Sequence, residues 1–219
     1  MCGIAGFAGP GYSDRLDSML RSLTHRGPDE SGQWLGDEVG LGIARLSIID
    51  VTGGHQPVFS TDESVVAVFN GEIYNYGELS QHLTASGVSL RSGSDGEVIP
   101  HLYLKYGVDF IHKLRGMFAI ALWDNNQKRL ILVRDRVGKK PLVFAKKGDG
   151  ILFASEARAL IDAGLQVDAD PCALDHAMAF GDVPTDGGAF RGLDSLPPGH
   201  LAVWQDGKLE VRPYWSWEP

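Results

Sequence analysis

The chain has 219 residues, 43% hydrophobic and 22% charged, which is ordinary for a globular protein of one large domain or two small ones. Its net charge of −8 argues against binding nucleic acid, and no apolar run approaches the ~18 residues of a membrane-spanning helix. With no signal-peptide pattern, and with too few cysteines (Cys2 and Cys172) for a disulfide scaffold, the chain is expected to be cytoplasmic.

Short apolar runs predict strands along the whole chain. These strands cover residues 3–8, 39–49, 64–69, 117–123, 129–134, 141–145, 151–154, 201–205 and 208–212. The polar turn 124–128 joins two of them into a hairpin, and Asp206-Gly207 joins the last two.

Two helices are predicted in the first half of the chain. The first is entered from Ser13 and carries an apolar face spaced at i, i+3, i+4 and i+7, formed by Leu16, Met19, Leu20 and Leu23. The second covers residues 94–106, where Ser94 and Glu97 have the spacing of a capping box. Pro100 lies in its second turn and removes a backbone hydrogen bond, so we expect a kink there.

Two more helices are predicted in the second half. A short one follows Ser155, and another begins at Asp170 and Pro171 and ends at Gly181, with each of these residues at its preferred helix position. Because the strands form hairpins without regular helix alternation, we predict an α+β fold of antiparallel sheets covered by helices.

The second residue is a cysteine, and it becomes the first residue if Met1 is removed. The mature chain then carries a thiol and a free α-amine on one residue. An α-amine ordinarily titrates near ~7.7–8.0, close to the ~8.5 of a thiol, so the amine can serve as the base for the thiol nucleophile. On position alone, however, Cys2 is better explained as simply the residue that follows the start codon.

The sequence does not indicate a metal or cofactor site. The seven histidines are scattered, and no His-x-x-x-His or Cys-x-x-Cys pair occurs. Neither a P-loop nor a dinucleotide-binding glycine fingerprint is present, and Gly138-Lys139-Lys140-Pro141 is better interpreted as a turn that enters a strand. We therefore expect no metal and no cofactor in this domain.

Polar clusters lie at the ends of several predicted strands, at residues 26–29, 45–47, 70–72 and 94–96. Each has a structural explanation when taken singly. Asn70-Gly71 is a favoured hairpin dipeptide, Asp95 suits the first turn of a helix, and Arg45 could extend its charged end from an edge strand.

Together with Cys2, however, the clusters form an ordered series of eight motifs. They are Met1-Cys2-Gly3-Ile4-Ala5-Gly6, His25-Arg26-Gly27-Pro28-Asp29, Arg45-Leu46-Ser47-Ile48-Ile49-Asp50, Phe69-Asn70-Gly71-Glu72-Ile73-Tyr74-Asn75, Gly93-Ser94-Asp95-Gly96-Glu97-Val98-Ile99, Arg115-Gly116-Met117-Phe118-Ala119, Arg134-Asp135-Arg136 and Lys140-Pro141-Leu142. The series closely resembles the glutaminase domain of class II glutamine amidotransferases, and most nearly that of glutamine-hydrolysing asparagine synthetases. The resemblance implies the N-terminal-nucleophile hydrolase fold, a four-layer αββα sandwich.

The resemblance also implies a mechanism. Cys2 would attack the side-chain amide of glutamine, release ammonia and leave a thioester that water hydrolyses to glutamate. The side chain of Asn70 and the backbone N–H of Gly71 would form the oxyanion hole, where glycine lets the backbone approach the substrate closely. Arg45 would bind the α-carboxylate and Asp95 the α-ammonium of the substrate.

Four further residues have supporting roles by the same resemblance. Glu72 is a weaker candidate for the ammonium end, and the backbone at Ile48 would help hold the substrate. Arg26 and Gly27 would support the Cys2 segment rather than touch substrate. Two departures from the usual family pattern, Gly96 and Phe144, bear on the subfamily and remove no catalytic group.

The resemblance assigns residues 2–214 to the glutaminase domain and residues 215–219 to a tail or the start of a linker. Family members pass ammonia to a second site, commonly an ATP-pyrophosphatase module with a Ser-Gly-Gly-Xaa-Asp-Ser loop that this sequence lacks. ATP and magnesium are expected only for such a module. We expect L-glutamine as substrate and a synthetase domain or subunit as partner, with an oligomer left open. Trp215 and Trp217 would either dock that partner or lie on their own domain.

Three functions thus stand beside one another. The first is glutamine hydrolysis that supplies ammonia to a synthetase. The second is hydrolysis of, or acyl transfer from, another amide on the same fold, against which the amino-acid-binding pair Arg45 and Asp95 argues. The third is a non-catalytic interaction subunit, which has no need of Cys2, Asn70 and Gly71.

Overall fold

The computed structural model describes residues 1–48, 50, 53–181, 183 and 188–217. In chain order the strands are β1 (Gly3–Ala8), β2 (Glu30–Leu35), β3 (Val39–Arg45), β4 (Val58–Phe59), β5 (Val65–Ile73), β6 (Gly116–Asp124), β7 (Arg129–Arg134), β8 (Val143–Lys147), β9 (Gly150–Ala154), β10 (Asp168–Ala169), β11 (Phe190–Arg191), β12 (Asp194–Ser195), β13 (His200–Gln205) and β14 (Lys208–Pro213). The helices are α1 (Leu16–Ser22), α2 (Tyr76–Ala85), α3 (Val98–Tyr106), α4 (Ala157–Asp162) and α5 (Pro171–Phe180), with 3-10 segments at Asp95–Glu97 and Gly107–Lys113.

Two six-stranded antiparallel sheets make up most of the fold. The first has the strand order β12-β8-β9-β1-β3-β2, and the second has the order β14-β13-β7-β6-β5-β4. Three apolar clusters hold the layers together. One joins the facing sides of the two sheets, one packs α1 and α4 on the first sheet, and one packs α2 and α3 on the second. The result is the predicted four-layer αββα sandwich.

Strand β5 shows how the sequence specifies these layers. Its side chains alternate between the two faces of the sheet, as the period of a strand requires. Val66 and Val68 face the other sheet, whereas Val65, Ala67 and Phe69 face the helices. Since both faces are buried, the strand is a continuous apolar run rather than an alternation of apolar and polar residues.

Most of the predicted elements are confirmed, in particular the hairpins β6–β7 and β13–β14 and strand β1. Helix α5 has Asp170 as its N-cap, Pro171 in its first turn and Gly181 in the left-handed conformation at its C-terminal end, as predicted. Strand β2 and helix α2 were not predicted. Helix α1 begins at Leu16 rather than at Ser13.

Three predicted strands differ from the structure by two or more residues at one end or both, and one of them, predicted at 141–145, is found two residues later as β8. The strand predicted at 39–49 ends at Arg45, and Ile49 lies outside the described residues. The strand predicted at 64–69 continues through Asn70 and Gly71 to Ile73, because these residues pair with β6. Asn70-Gly71 is therefore not a hairpin turn.

The predicted capping box is wrong. Ser94 does cap a turn, by accepting a 3.4 Å hydrogen bond from the Gly96 N–H, but that turn is a 3-10 segment. The Glu97 carboxylate turns back to the N–H groups of Arg91 and Ser92 and to the Ser92 hydroxyl. The α-helix starts only at Val98, so the missing N–H of Pro100 is one that a first turn leaves unpaired anyway, and it removes no helical hydrogen bond.

The C-terminal residues lie partly on the domain. The backbone N–H of Trp215 donates to the Gly199 carbonyl at 3.1 Å, and its ring contacts that of Trp217 at a centroid distance of 6.3 Å. Trp217 is 79% exposed. Across the described part of the chain, no helix is long and apolar enough to span a membrane.

We expect Gly96→Ala to lower the free energy of unfolding by about 1–3 kcal/mol, the usual cost of overpacking a core. A Cβ at Gly96 would lie 2.2 Å from Cε1 of Phe69. Gly77→Ala in α2 is the matched control, because its Cβ would meet nothing within 4 Å. It should raise the free energy of unfolding by about 0.4–1 kcal/mol. Urea denaturation measures both, and equal effects would contradict the packing argument.

Candidate active site

A cavity of about 100 Å³ opens between the two sheets at one end of the sandwich. The alternation of side chains explains why polar residues meet there. Cys2 precedes Ile4 on β1, Arg45 follows Ile43 on β3, and Asn70 follows Val68 on β5, and the apolar member of each pair faces the space between the sheets. The inward-facing positions at this end of the three strands are thus polar.

Cys2 is half-buried at the mouth of this space. Its Sγ accepts a hydrogen bond from the Leu46 N–H at 3.4 Å and lies 3.6 Å from the Leu46 carbonyl. Arg26 holds the backbone, because its Nε donates to the Cys2 carbonyl at 2.9 Å while its Nη1 pairs with Glu156 at 2.7 Å. Gly27 lies behind the cavity, where a Cβ would be 2.2 Å from the Ala44 carbonyl oxygen. Arg26 and Gly27 are thus positioned to support the cysteine segment.

The side-chain amide nitrogen of Asn70 lies at the cavity and has no hydrogen-bond partner. The residue is 1% exposed, and its Nδ2 is one of two buried side-chain nitrogens in the described residues that have no hydrogen-bond partner. A buried unsatisfied donor costs about 1–3 kcal/mol. The group is therefore available for an acceptor that enters the cavity.

The backbone beside Asn70 is fixed on both sides. Gln56 clamps the preceding residue, since its Oε1 accepts from the Phe69 N–H at 2.7 Å and its Nε2 donates to the Phe69 carbonyl at 3.2 Å. On the other side, a Cβ at Gly71 would lie 2.1 Å from the Met117 carbonyl oxygen. Glycine is thus required at position 71 by the approach of β6, in addition to any approach of a substrate.

Arg45 is 4% exposed and tightly held. Its Nη1 pairs with Glu30 at 2.8 Å, and its Nη2 donates to the Asp50 carbonyl at 2.9 Å. The second oxygen of Glu30 contacts His55 Nδ1 at 2.7 Å. Partial burial acts to raise the pKa of Glu30, but hydrogen bonds from His55 and Arg45 outweigh it and hold that pKa below its usual value. Neither Glu30 nor His55 was predicted from the sequence to lie at the site, although Glu30 lies directly opposite Arg45 in the β2–β3 pairing.

The acidic side of the cavity carries Asp95 and Glu72. Asp95 is 3% exposed, and its Oδ2 accepts from the Ile73 N–H at 2.8 Å. Burial, and secondarily the charge of Glu72, raise the pKa of Asp95 despite that hydrogen bond. Glu72 is half-buried, and Ile48 lies at the rim with 72% of its surface exposed. A cation that entered here would relieve the unfavourable burial of the Asp95 carboxylate.

The structure thus brings seven of the nine predicted site residues to one cavity, and Arg26 and Gly27 lie behind it. The seven are Cys2, Arg45, Ile48, Asn70, Gly71, Glu72 and Asp95. The same cavity is lined by Met1, Met117 and Lys140, to which the sequence analysis gave no role in the site. Within the described ranges, no group of three or more His, Cys, Asp or Glu residues could hold a metal ion.

Comparison with known proteins identifies the family. Residues 1–215 match the family model of a glutamine amidotransferase domain. The chain is 33% identical to asparagine synthetase [glutamine-hydrolyzing] 3 of Bacillus subtilis strain 168, covering 100% of this chain and 37% of the relative. It is 38% identical to asparagine synthetase [glutamine-hydrolyzing] 1 of the same strain, with coverages of 92% and 32%. Amidase chry2 of Gibberella zeae is 36% identical, with coverages of 100% and 35%. The chain therefore spans about a third of the length of these relatives.

Solved structures agree on the fold. The glutamine phosphoribosylpyrophosphate amidotransferase of B. subtilis superimposes with a TM-score of 0.70 at 20% identity, over 97% of this chain and 49% of that one. A glutamine aminotransferase class-II domain protein of Silicibacter pomeroyi gives a TM-score of 0.52 at 12% identity, over 97% and 98%. The family-model match over nearly the whole chain and the relatives at 33% and 38% identity show that the chain belongs to the class II glutamine amidotransferase domain family, of the kind found in asparagine synthetases.

Proposed function

We propose that this domain hydrolyses L-glutamine to glutamate and ammonia through a thioester on Cys2, once Met1 has been removed. One observation carries the proposal. A half-buried thiol and a buried amide donor without a partner, Asn70 Nδ2, line the same cavity. A nucleophile next to an unsatisfied donor is what the tetrahedral intermediate of acyl transfer requires.

The reaction begins at the α-amine of Cys2. The amine takes the thiol proton, and the sulfur attacks the side-chain amide carbon of glutamine. The oxyanion that forms accepts hydrogen bonds from Asn70 Nδ2 and the Gly71 N–H. The amine then gives its proton to the leaving nitrogen, ammonia departs, and water hydrolyses the thioester to glutamate and the free thiol.

The two ends of the amino acid are recognised by opposite charges. The Arg45 guanidinium binds the α-carboxylate, and its pairing with Glu30 and Asp50 holds it in one orientation. Asp95 binds the α-ammonium, with Glu72 beside it. The backbone near Ile48 closes the rim over the substrate.

Met1 occupies part of this cavity. Its Sδ lies 3.4 Å from Nζ of Lys140, and Met1 is one of the residues that line the cavity around Cys2. Removal of Met1 therefore frees the α-amine and also vacates space for glutamine.

We further propose that ammonia is passed to a synthetase domain or subunit and that the glutaminase domain extends through residue 214. The support is that two of the relatives are named glutamine-hydrolysing asparagine synthetases and are about three times as long as this chain. A second candidate, hydrolysis of a different amide, is favoured by the similarity to a protein named an amidase. A panel of amides with and without the α-amino and α-carboxyl groups distinguishes the two candidates.

We expect diazo-oxo-norleucine, an electrophilic glutamine analogue, to add once to Cys2 of a Met1-free chain, as detected by peptide mass spectrometry. Cys2→Ala should lose both the adduct and glutamate production and stay folded, because Cys2 is only half-buried. Addition of the analogue to Cys172 instead of Cys2, or full glutamate production by Cys2→Ala, would contradict the proposal.

We expect Asn70→Ala to lower kcat by about 10²–10³, the usual cost of removing one oxyanion donor. Its stability should not fall, because Nδ2 makes no hydrogen bond and its removal relieves the cost of a buried unsatisfied donor. Asn75→Ala is the matched control, since this amide donates to the Lys113 carbonyl and accepts from the Arg115 N–H outside the cavity. It should lose stability and keep kcat. If Asn70→Ala kept its kcat while Asn75→Ala lost it, Asn70 would not be an oxyanion donor.

We expect Asp95→Asn to raise KM for glutamine about 10- to 100-fold, the effect of losing one charged hydrogen bond. The same variant should be more stable than wild type at pH 7. Burial raises the pKa of Asp95, so the ionised carboxylate lowers the free energy of unfolding at pH values above that pKa. This destabilisation disappears as the pH falls and the carboxyl group becomes protonated. The stability gain should therefore disappear at acid pH. Urea denaturation of both proteins across a range of pH measures this difference. A stability gain of Asp95→Asn that persists at pH values below the ordinary pKa of aspartate would contradict the prediction.

A further inference from the structure

Lys140 places a buried amine in the active-site cavity. The residue is 6% exposed and lines the cavity together with Cys2 and Asn70. In the part of the chain that the structure describes, its Nζ makes one hydrogen bond, to Met1 Sδ at 3.4 Å, and no carboxylate lies within ion-pairing distance. A thioether sulfur is a weak acceptor, so this amine is poorly satisfied even while Met1 is present.

The backbone around Lys140 is held rigidly. Its N–H donates to Oδ2 of Asp135 at 3.0 Å, and its carbonyl accepts from Nε of Arg134 at 3.0 Å. Asp135 is fully buried and also accepts from the Phe118 N–H on β6 at 3.2 Å. The Arg134-Asp135 pair therefore fixes the loop to the second sheet and keeps the Lys140 side chain at the cavity.

Removal of Met1 takes away the partner of this amine. A buried ammonium without a counter-ion is strongly disfavoured, so pairing with a nearby anion would stabilise it. Cys2 is the residue bonded to Met1, and its thiolate is the anion that the proposed reaction forms in this cavity.

The other charged side chains around Cys2 do not supply this charge. Arg26, which contacts the Cys2 carbonyl, and Arg45 on β3 are each paired with a glutamate. Glu72 on β5 and Asp95 on the 3-10 segment are acids, and they disfavour a second negative charge. Among the described residues that line the cavity, Lys140 is the cation with no carboxylate partner.

We propose that Lys140 is the side-chain counter-ion of the Cys2 thiolate, acting beside the α-ammonium that forms on Cys2 itself, and that it activates the nucleophile once Met1 is gone. The proposal rests on the role of Cys2 in the proposed function. The thiol proton still goes to the α-amine of Cys2, and Lys140 neither gives nor takes a proton. Its ammonium favours the thiolate over the thiol, so Lys140 acts through Cys2 as a positioning residue.

The test is the pH dependence of alkylation of Cys2 by iodoacetamide, followed by peptide mass spectrometry. The protein is released from a fusion so that Cys2 is its first residue, and the exposed Cys172 serves as an internal reference. Lys140→Met should raise the Cys2 midpoint by about one pH unit, the lower end of the effect of a nearby charge, which slows alkylation about tenfold below both midpoints.

Two variants separate this local effect from a general one. Lys140→Arg keeps the charge and should restore most of the shift. Lys139→Met removes the same charge from the exposed neighbouring residue and should leave the Cys2 profile unchanged. The Cys172 profile should be the same in all proteins.

An unchanged Cys2 profile in Lys140→Met, or an equal shift in Lys139→Met, overturns the proposal. Circular dichroism confirms that each variant is folded, and Lys140→Gln provides the same test if the methionine variant is not. Because alkylation needs no turnover of glutamine, this result is independent of whether wild-type protein produces glutamate. A failure of the proposed function and a failure of this inference are therefore told apart.

Discussion

The site depends on one geometric constraint, which is that two sheets pack face to face and every second side chain of their central strands lies between them. Along most of each strand this position is apolar and forms the core. At one end the facing positions become Cys2, Arg45 and Asn70, so the core gives way to a polar cavity. No loop has to bring these three groups together, because the strands that carry them already pack against one another.

Local patterns predicted those parts of the fold whose causes are local. The hairpins follow from their turns, and α5 follows from Asp170, Pro171 and Gly181 at its ends. Strand β2, an edge strand whose residues alternate between half-buried and exposed, has too little apolar character to be recognised. The Asn70-Gly71 pair has the composition of a turn, but pairing with β6 extends the strand through it.

The residues around the site were predictable to a different extent. The roles of Cys2, Arg45, Asn70 and Asp95 came from the ordered motifs of the family and not from spacing alone. The contact of Glu30 with Arg45 depends on the register between β2 and β3, and β2 itself was not predicted. Lys140 reaches the cavity only because a buried arginine and a buried aspartate hold its loop, and neither contact leaves a periodic pattern in the sequence.

The unpartnered amide of Asn70 has a consequence for how this domain can change. A buried donor with no acceptor and a buried carboxylate with a raised pKa both work against folding, and both lie in the cavity. Selection for thermal stability alone would therefore replace these side chains first. These side chains are expected to persist only where selection also acts on binding a ligand that completes their hydrogen bonds. The groups that destabilise the folded domain are therefore the ones that its reaction needs.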